Sequence, residues 1–382
     1  MKIFKTDGLD ILSWCIEPEG GALSQAKNIA SLPFAHKHVA LMPDTHQGFG
    51  MPIGGVLALD GVIIPNAVGV DIGCGVAAVR TSLEGISRDD LKAVLGAIRQ
   101  AVPVGFNHRK SPLEIEDAPK NALIVQREHS SARKQLGTLG GGNHFIEFNK
   151  GSDNAIWFMV HSGSRNLGKQ VCEHYNRQAK KIMNEGNGYK SPKEWDLAHL
   201  NVSSDVGKQY IEEMRYCLRF AKANRARMVQ DISEILQDVT GGKVLEKFDI
   251  HHNYADIERH YDKDVWVHRK GATAANLGQI GIIPGSQGTK SYIVTGLGNP
   301  LSFNSCSHGA GRKMGRKQAE RTLNLQHEID ILERQGILHG IRGARDLDEA
   351  TSVYKDIEVV MQEQADLVDI KVELTPLGVI KG

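Results

Sequence analysis

The sequence Gly69-Val-Asp71-Ile-Gly-Cys74-Gly75 places a carboxylate and a thiol three residues apart in a segment punctuated by glycine. It follows an apolar run, Val62 to Pro65, that is typical of a strand. Glycine permits positive φ and a close approach of the backbone to a ligand, so a short loop can turn both side chains to one point. A thiolate can bridge two cations, and the pKa of a thiol is low only near positive charge. The segment therefore predicts a metal site.

Four further segments, far apart in the chain, combine glycine, serine or asparagine with a metal-ligating or phosphate-binding side chain. They are Gly142-Asn143-His144, His161-Ser-Gly-Ser-Arg165, His251-His252-Asn253 and Cys306-Ser-His308-Gly-Ala-Gly-Arg312. Imidazole together with thiolate favours Mn, Fe, Co or Zn over Mg. His144, His161 and His252 can complete two three-ligand sets that leave positions open for substrate oxygens, with His251 as a second candidate beside His252. A hydrogen-bonded, buried role is the commoner explanation for any one of these histidines, but together the segments predict a pocket for transition ions and a phosphate-bearing substrate.

The segment from Ser305 to Arg312 precedes a strongly helical run. Backbone amides at a helix N-terminus form a natural phosphate site. In a helix Arg312 would lie one turn from His308, so both could address one phosphate. A neutral imidazole can itself attack phosphorus and carry the group as a phosphoramidate. The alternative is that His308 only caps the helix.

The composition is that of a soluble globular protein, with 382 residues, 41% apolar and 24% charged. The formal charge of +1 excludes a protein that coats nucleic acid through bulk charge, although a local basic groove stays compatible with it. Five cysteines at irregular spacing argue against a disulfide framework and for a reducing compartment. Without a signal-like N-terminus or a membrane-length apolar stretch, we expect a cytoplasmic protein with no membrane partner.

The periodicity predicts one α+β domain over residues 1–382, with mixed sheets around a central metal pocket and a helical insertion at about 184–236. Asp60-Gly61 is a hairpin turn signal within Val56 to Pro65. Ser87 opens a capping box for a helix to about Ala101. Ile156 to Val160 is a buried strand that delivers His161, and Val206 to Leu236 is a long amphipathic helix, in one or two pieces. Further strands are expected at Val265 to Val267, Ile280 to Ile283 and Ser291 to Val294, and helices at Gly315 to Gln335 and Lys355 to Gln364.

A series of short blocks runs in order from residue 43 to the end of the sequence. They are Pro43-Asp44-Thr-His46-Gln-Gly48, Pro52-Ile-Gly-Gly55, Gly69 to Gly75, Gly137-Thr-Leu-Gly-Gly-Gly-Asn143-His144-Phe-Ile-Glu147, His161 to Arg165, His252-Asn253, Arg269-Lys-Gly-Ala272, Pro284-Gly-Ser286, Ser307-His-Gly-Ala-Gly-Arg312, Tyr354-Lys-Asp-Ile357 and Lys381-Gly382. Together they resemble the RtcB family of GTP-dependent RNA ligases. Such order is more specific than any single motif, although Gly336 to Thr351 matches weakly.

The resemblance implies an RtcB-like domain with a dinuclear site, usually of two Mn²⁺ ions, bridged by Cys74. His144 and His161 would hold one ion, and Asp71 and His252 would hold the other.

The resemblance also implies that His308 attacks the α-phosphate of GTP and carries GMP, with Asp44 orienting its imidazole. Glu147 would read the guanine edge and Tyr354 would stack on the base. The other implied contacts are those of Asn143, Ser286, Arg312 and Lys381 with GTP or GMP, and those of Arg165 and Lys270 with phosphates of GMP or RNA.

The reaction implied by the resemblance has three steps. GTP guanylylates the histidine, GMP moves to an RNA 3′-phosphate, and a 5′-hydroxyl attacks that end and releases GMP. The 3′-phosphate can arise from a 2′,3′-cyclic phosphate by addition of water. The RNA partner would come from transfer-RNA splicing or RNA repair. A monomer is expected, and a helper protein for turnover is compatible with the sequence.

Two other functions use part of the same residues. A dinuclear metallophosphoesterase needs the metals and the arginines but no nucleophilic histidine. A non-catalytic RNA-binding or translation-associated factor would be expected to lose ligands, and none is lost in this sequence. The ligase interpretation explains every block and is therefore preferred.

Overall fold

The computed structural model describes residues 1–382, along which strands and helices alternate irregularly. The strands are β1 (Lys2–Phe4), β2 (Asp10–Ser13), β3 (Ala35–His46), β4 (Ile53–Leu59), β5 (Val62–Ile63), β6 (Gly75–Thr81), β7 (Phe145–Gly151), β8 (Ile156–Ser162), β9 (Leu200–Asn201), β10 (Val244–His251), β11 (Asn253–His260), β12 (Lys263–Lys270), β13 (Ala272–Ala274), β14 (Ile280–Ile283), β15 (Ser291–Gly296), β16 (Ser305–Ser307) and β17 (Val368–Lys381). The helices are α1 (Gly20–Ala30), α2 (Pro65–Val68), α3 (Arg88–Ala101), α4 (Leu123–Gln135), α5 (Arg165–Glu185), α6 (Asp205–Thr240), α7 (Arg316–Thr322), α8 (Leu325–Arg334) and α9 (Ile357–Glu363), with 3₁₀ turns at Lys193–Trp195, Pro300–Ser302, Ala344–Glu349 and Thr351–Val353.

Most strands belong to two large sheets. The first has the order β1-β2-β3-β4-β12-β11, and the second has the order β10-β6-β8-β7-β17-β15-β14. All neighbours are antiparallel except β2 and β3. The outer strands β10 and β14 of the second sheet lie close together, so this sheet curls nearly into a barrel. This single compact domain of mixed sheets and helices confirms the predicted α+β class.

The second sheet brings the ends of its strands to one edge, and the predicted ligands lie there. β6 begins at Gly75 and β7 begins at Phe145, directly after Cys74 and His144. His161 pairs with Phe145 and lies one residue before the end of β8. Because β6, β7 and β8 are adjacent and antiparallel, the starts of two of them meet the end of the third. Side chains far apart in sequence thereby become neighbours.

One further predicted ligand, His252, and the predicted catalytic residues Asp44 and His308 reach the same edge from the first sheet and from a two-stranded ribbon. His252 joins β10 of the second sheet to β11 of the first. Asp44 lies near the end of β3, and His308 directly follows β16, which pairs with β13. The site is therefore built where the two sheets meet.

Helix α6 is continuous from Asp205 to Thr240, slightly longer than predicted and in one piece. The Ser204 side chain accepts a hydrogen bond from an amide of its first turn, and Gly241 ends the helix with a φ of 74°. Met228 and Ile232 of α6 belong to one apolar core with residues of α3 and of the second sheet. The interpretation of residues 184–236 as an insertion stays a prediction.

Several other predicted elements are confirmed. Ser87 caps α3, which ends at Ala101, and its Oγ accepts the Asp90 amide at 3.0 Å. β8 is buried throughout, and the strands expected near Val265, Ile280 and Ser291 are present. The helix expected at Lys355 to Gln364 is α9.

Two local predictions are wrong. The chain turns at Asp60-Gly61, but β5 pairs with β9 and not with β4, because both edges of β4 are already occupied by β3 and β12. The helix expected from Gly315 to Gln335 is divided into α7 and α8, because Asn324 interrupts it and caps the second helix through the amide of His327 at 3.0 Å.

No helix has both the length and the apolar character that a membrane span requires. All five cysteines are buried free thiols.

Candidate active site

A cleft of about 1040 Å³ opens at the junction of the two sheets. This volume suits a nucleotide-sized ligand. The cleft is lined by every site residue predicted from the sequence except Asp44, His144 and Arg165. Asp44 contacts His308, and His144 contacts Asp71, and both of these partners line the cleft. The fold therefore gathers the predicted residues in one place.

Cys74 lies at the centre of a compact cluster of ligand atoms. Its Sγ is 3.5 Å from Nε2 of His144 and 3.3 Å from Nε2 of His161. His161 Nε2 is 3.4 Å from His252 Nε2, and His144 Nε2 is 3.1 Å from an Asp71 carboxylate oxygen. The atoms form two groups that each can hold a metal ion, and both groups include Cys74.

The hydrogen bonds behind the cluster prepare its atoms for a cation. Nδ1 of His144 contacts the Leu139 carbonyl at 2.9 Å, and Nδ1 of His161 contacts the Asn143 carbonyl at 3.0 Å. A carbonyl only accepts, so each Nδ1 carries the proton and each neutral ring turns an Nε2 lone pair toward Cys74. Asp71 Oδ1 is buried without a partner. Converging lone pairs repel one another unless a cation lies between them, so the donor set fits metal ions.

Burial sets the protonation of the cluster. It lowers the pKa of His161 and of His252 well below the usual range, which keeps both imidazoles neutral and able to ligate. Burial, reinforced by the Asp71 charge, raises the pKa of the Cys74 thiol well above its usual range. A bound cation has the opposite effect on a thiol and favours the thiolate.

The assignment of ligands to the two ions that the resemblance implies stays a prediction. Cys74 contacts both His144 and His161, as that assignment requires for one ion. Asp71 also contacts His144, and His252 also contacts His161, so the ligand atoms of both predicted sets are contiguous. His251 instead contacts the Arg225 guanidinium at 3.1 Å and lies outside both groups, so His252 is the ligand candidate at this position.

His308 is held rigidly beside this cluster. Its Nδ1 donates to a carboxylate oxygen of Asp44 at 2.6 Å, and its backbone amide donates to the same oxygen at 3.1 Å. Asp44 is fully buried. The ring centroid of His308 is 4.7 Å from that of His252. Because Nδ1 donates to Asp44, the free lone pair of the neutral imidazole is on Nε2.

The local structure around His308 differs from the prediction. Ser305–Ser307 is a strand, and the next helix begins only at Arg316. His308 and Arg312 are therefore not one helical turn apart, and no helix N-terminus forms at His308. Its backbone is fixed by ribbon pairing and by Asp44, because Ala272 pairs with Ser307 in the β13–β16 ribbon.

Glu147 is a buried acid that lines the cleft. One of its carboxylate oxygens has no hydrogen-bond partner. Burial raises the pKa of Glu147 to about 8, and the nearby Lys381 charge opposes this shift. The Lys381 ammonium lies 5.5 Å from the centre of the Phe145 ring. An unpaired buried carboxyl in a cleft is suited to accept hydrogen bonds from a ligand.

Glu349 is a site residue that the sequence did not reveal. Its carboxylate contacts Arg312 at 3.0 Å, Arg316 at 2.9 Å and Lys381 at 3.6 Å, and it accepts a hydrogen bond from the Tyr354 hydroxyl. It is only 3% exposed. Three predicted nucleotide-binding side chains are thus fastened to one carboxylate. Glu349 lies within Gly336 to Thr351, where the resemblance to the family is weak. The sequence of its charged 3₁₀ segment is typical of an ordinary surface turn.

Ser286 and Asn143 lie in loops that form part of the cleft wall. The Ser286 hydroxyl lies 2.9 Å from Thr289 Oγ1 in the turn that follows Pro284. Asn143 lies directly before the ligand His144 and uses its carbonyl to orient His161. Both residues line the cleft, and their contacts with a nucleotide stay predictions.

Arg165 and Lys270 are two cations without an acidic partner. The Lys270 ammonium donates to the carbonyls of Phe49 and Asn66, and burial lowers its pKa to about 8. Arg165 donates to the Thr138 hydroxyl at 3.3 Å and has a φ of 59°. A left-handed backbone at a non-glycine residue is strained and is held by its surroundings. Neither side chain forms an ion pair, and Arg165 lies close enough to the cluster for the charge of Asp71 to act on it.

A family model described as "tRNA-splicing ligase RtcB" matches residues 25–124 and 114–382. The chain belongs to the RtcB family. It is 35% identical to RNA-splicing ligase RtcB of Escherichia coli strain K12, over 100% of this chain and 99% of that protein. It is 32% identical to tRNA-splicing ligase RtcB of Thermococcus kodakarensis, over 94% of this chain and 91% of that protein. RNA-splicing ligase RtcB of Mycobacterium tuberculosis is 31% identical, over 94% of this chain and 100% of that protein.

Helix α6 supports the ligand cluster of this RtcB chain from behind. The Asn224 side chain accepts the amides of Gly137 and Thr138, and it donates to the Gly163 carbonyl at 3.1 Å. Arg225 donates to the Gly73 carbonyl at 2.9 Å. These contacts fix the loops that carry the candidate ligands. Gly163 leaves room for the Asp71 side chain, since a Cβ at residue 163 would lie 2.1 Å from an Asp71 carboxylate oxygen.

Replacing Arg225 with alanine is expected to lower the free energy of unfolding by about 3–5 kcal/mol. The Arg225 side chain is fully buried and pairs with both oxygens of Asp249 at 2.7 Å, so its loss leaves a carboxylate and two carbonyls without their donor. Urea denaturation measures the change. Arg215→Ala on the same helix is the control, because its 3.5 Å pair with Asp256 is half exposed and is worth at most about 1 kcal/mol. Equal losses in both variants would contradict the supporting role of Arg225.

Proposed function

We propose that this RtcB chain is an RNA ligase that joins RNA 3′-phosphate or 2′,3′-cyclic phosphate ends to 5′-hydroxyl ends, with GTP as cosubstrate and two divalent ions, usually Mn²⁺. The observation that carries the proposal is the 2.6 Å contact between His308 Nδ1 and the buried carboxylate of Asp44, in the same cleft as the Cys74 cluster. A metallophosphoesterase needs no nucleophilic histidine, whereas a ligase that carries GMP on histidine does. The kinship with named RNA ligases supports the same reaction class.

In the first step His308 is the nucleophile. Its Nε2 attacks the α-phosphorus of GTP, a P–N bond forms, and the bond to the leaving pyrophosphate breaks. The imidazole keeps its proton on Nδ1, where the Asp44 carboxylate stabilises the positive charge that develops on the ring. The product is a histidine that carries GMP.

In the next two steps the RNA ends are joined. An oxygen of the RNA 3′-phosphate attacks the GMP phosphorus, and His308 leaves as a neutral imidazole. The 5′-hydroxyl then attacks the activated 3′-phosphate, loses its proton and displaces GMP. This order is physically reasonable because a phosphate monoester is a poor electrophile, whereas GMP supplies a leaving group. A 2′,3′-cyclic phosphate first takes up water to give the 3′-phosphate.

The metal ligands proposed are Cys74, His144 and His161 for one ion and Asp71, Cys74 and His252 for the other, and the contacts of Cys74 with both His144 and His161 support this assignment. When bound, divalent ions neutralise phosphate charge and align the reacting oxygens. The chain's own polar side chains extend this role. Arg165 and Lys270, which form no ion pair, are proposed to bind RNA phosphates, and Arg312 and Asn143, which line the cleft, are proposed to bind the GMP phosphate.

Guanine selection is assigned to Glu147. Guanine presents two N–H donors on one edge, and a carboxylate can accept both, whereas adenine lacks this pair. Lys381 lies near that carboxyl, and Tyr354 and Ser286 lie in the same cleft for contact with the base and the ribose phosphate. The unpartnered Glu147 oxygen supports this role.

The affinity for GMP is expected to rise with pH up to about pH 8 and then to level off. Glu147 must be ionised to accept two N–H groups, and burial raises its pKa to about 8, so at lower pH a proton must first be released. Below that pKa the affinity should change about tenfold per pH unit.

Other groups contribute to the pH dependence, because Lys381 faces the Glu147 carboxyl and because the GMP phosphate and Lys270 also titrate. The quantity to measure is therefore the ratio of the GMP affinity of the wild type to that of Glu147→Gln, determined by calorimetry at each pH. A ratio that does not depend on pH would contradict the assignment of Glu147.

The reaction class is tested by joining a 3′-phosphate RNA to a 5′-hydroxyl RNA with purified protein, Mn²⁺ and GTP. We expect a joined product that requires both GTP and the 3′-phosphate. Omission of GTP separates the ligase from the phosphoesterase alternative, because a phosphoesterase would remove the 3′-phosphate without GTP. Release of phosphate without joining, under all conditions, would overturn the proposal.

A further inference from the structure

Two phenylalanine side chains project into solvent near the cleft. Phe49 is 80% exposed and lines the cleft, and Phe106 is fully exposed. Single exposed apolar residues are common on proteins, so exposure alone assigns no role to them. The neighbours of these two residues are more informative.

Phe49 is joined to one of the two unpaired cations. Its carbonyl accepts a hydrogen bond from the Lys270 ammonium, whose other partner is the Asn66 carbonyl at 2.9 Å. Lys270 makes no ion pair with an acidic side chain. The backbone that carries the Phe49 ring is therefore fastened to a lysine that has no acidic partner.

Phe106 is connected to the other cation through its neighbour in the chain. The preceding residue, Gly105, donates its amide to the Gly140 carbonyl at 2.8 Å, and its own carbonyl lies 3.5 Å from the Arg165 guanidinium. The Arg165 guanidinium lies directly against Gly140, since a Cβ added at residue 140 would be 1.9 Å from one of its nitrogens. The loop that carries Phe106 is thus fastened around Arg165.

We propose that Phe49 and Phe106 are two base-stacking platforms for single-stranded RNA, each acting with the phosphate-binding cation at its base, Lys270 and Arg165 respectively. The inference rests on the proposed function and extends it to the RNA. Exposed aromatic rings beside fixed cations are how proteins hold unpaired nucleotides without reading their sequence. A ligase has two RNA ends to align, and the structure offers two such pairs, so each pair holds one end.

The test compares RNA binding by Phe49→Ala and Phe106→Ala with binding by the wild type. The ligands are short fluorescent RNAs, one with a 3′-phosphate end and one with a 5′-hydroxyl end, and anisotropy gives the Kd of each. Loss of one stacked base is expected to weaken binding by at least about fivefold. Each variant should affect mainly one of the two RNAs, and the tryptophan variants Phe49→Trp and Phe106→Trp should retain tight binding.

Leu277→Ala is the matched control, because Leu277 is 82% exposed and lies outside the cleft. RNAs whose terminal nucleotide lacks its base provide a second control, since they should bind the wild type and the alanine variants equally. Unchanged Kd values for both alanine variants, or equal losses with the abasic RNAs, would overturn the stacking role. The proposed function is tested separately on the same wild-type protein by GTP-dependent labelling: labelled protein with unaltered RNA binding by the variants refutes only the platforms, whereas unlabelled protein refutes the ligase.

Discussion

Replacing His308 with alanine is expected to abolish the covalent GMP adduct and to reduce RNA joining to background. The proposed route passes through a P–N bond to Nε2, and alanine offers no atom that can form it. Asp44 cannot replace the imidazole, because it is fully buried behind it. Gel electrophoresis after incubation with α-labelled GTP measures the adduct, and a two-strand RNA assay measures joining.

The control for this prediction is His327→Ala. His327 is an exposed histidine on α8 and lies outside the cleft, so its loss should leave both readouts unchanged. Joining by His308→Ala at the wild-type rate would contradict the nucleophilic role of His308. Retention of the adduct in that variant would place GMP on another residue.

Replacing Cys74 with alanine is expected to remove both metal sites together. Both ligand groups contain Cys74, so its loss leaves each with two protein ligands. Loss of an outer-shell partner typically costs 10- to 100-fold in metal affinity, and loss of a direct, shared ligand should exceed about 100-fold. Elemental analysis after dialysis against Mn²⁺ measures the ions per chain, with two expected for the wild type and none for the variant.

Cys172→Ala is the matched control for the metal prediction. Cys172 is also a buried free thiol, but it belongs to neither ligand group, so its loss should leave the Mn²⁺ content unchanged. A thermal-denaturation scan adds a readout that does not depend on activity, since Mn²⁺ should raise the Tm of the wild type and of Cys172→Ala but not that of Cys74→Ala. Two ions retained by Cys74→Ala would contradict the shared-ligand arrangement.

The candidate ligands were predictable from sequence because they lie near the ends of strands, in segments that contain glycine, serine or asparagine. Such flanks permit close approach to a ligand and are unlike those of a core histidine. The division of the ligands between two ions stays a prediction. The contacts among these side chains depend on the register of β6, β7 and β8, which brings Cys74 against both His144 and His161.

Local structure was predictable where the local signal was sufficient, as for the Ser87 cap and the existence of the long helix α6, although not for its being a single piece. It failed where tertiary pairing decided the result. The residues before His308 form a strand because β13 pairs with them, although a helical pattern follows. Glu349 was missed for the same reason: its role lies in the convergence of Arg312, Arg316, Tyr354 and Lys381 from four parts of the chain, which no local pattern encodes.

The most direct test of the proposed mechanism is mass spectrometry of the wild-type protein after incubation with GTP and Mn²⁺. The mechanism predicts one GMP per chain, attached to the peptide that contains His308 through a bond that is labile in acid and stable in base. No adduct under any of several divalent metals, or GMP attached to a residue other than His308, would contradict it.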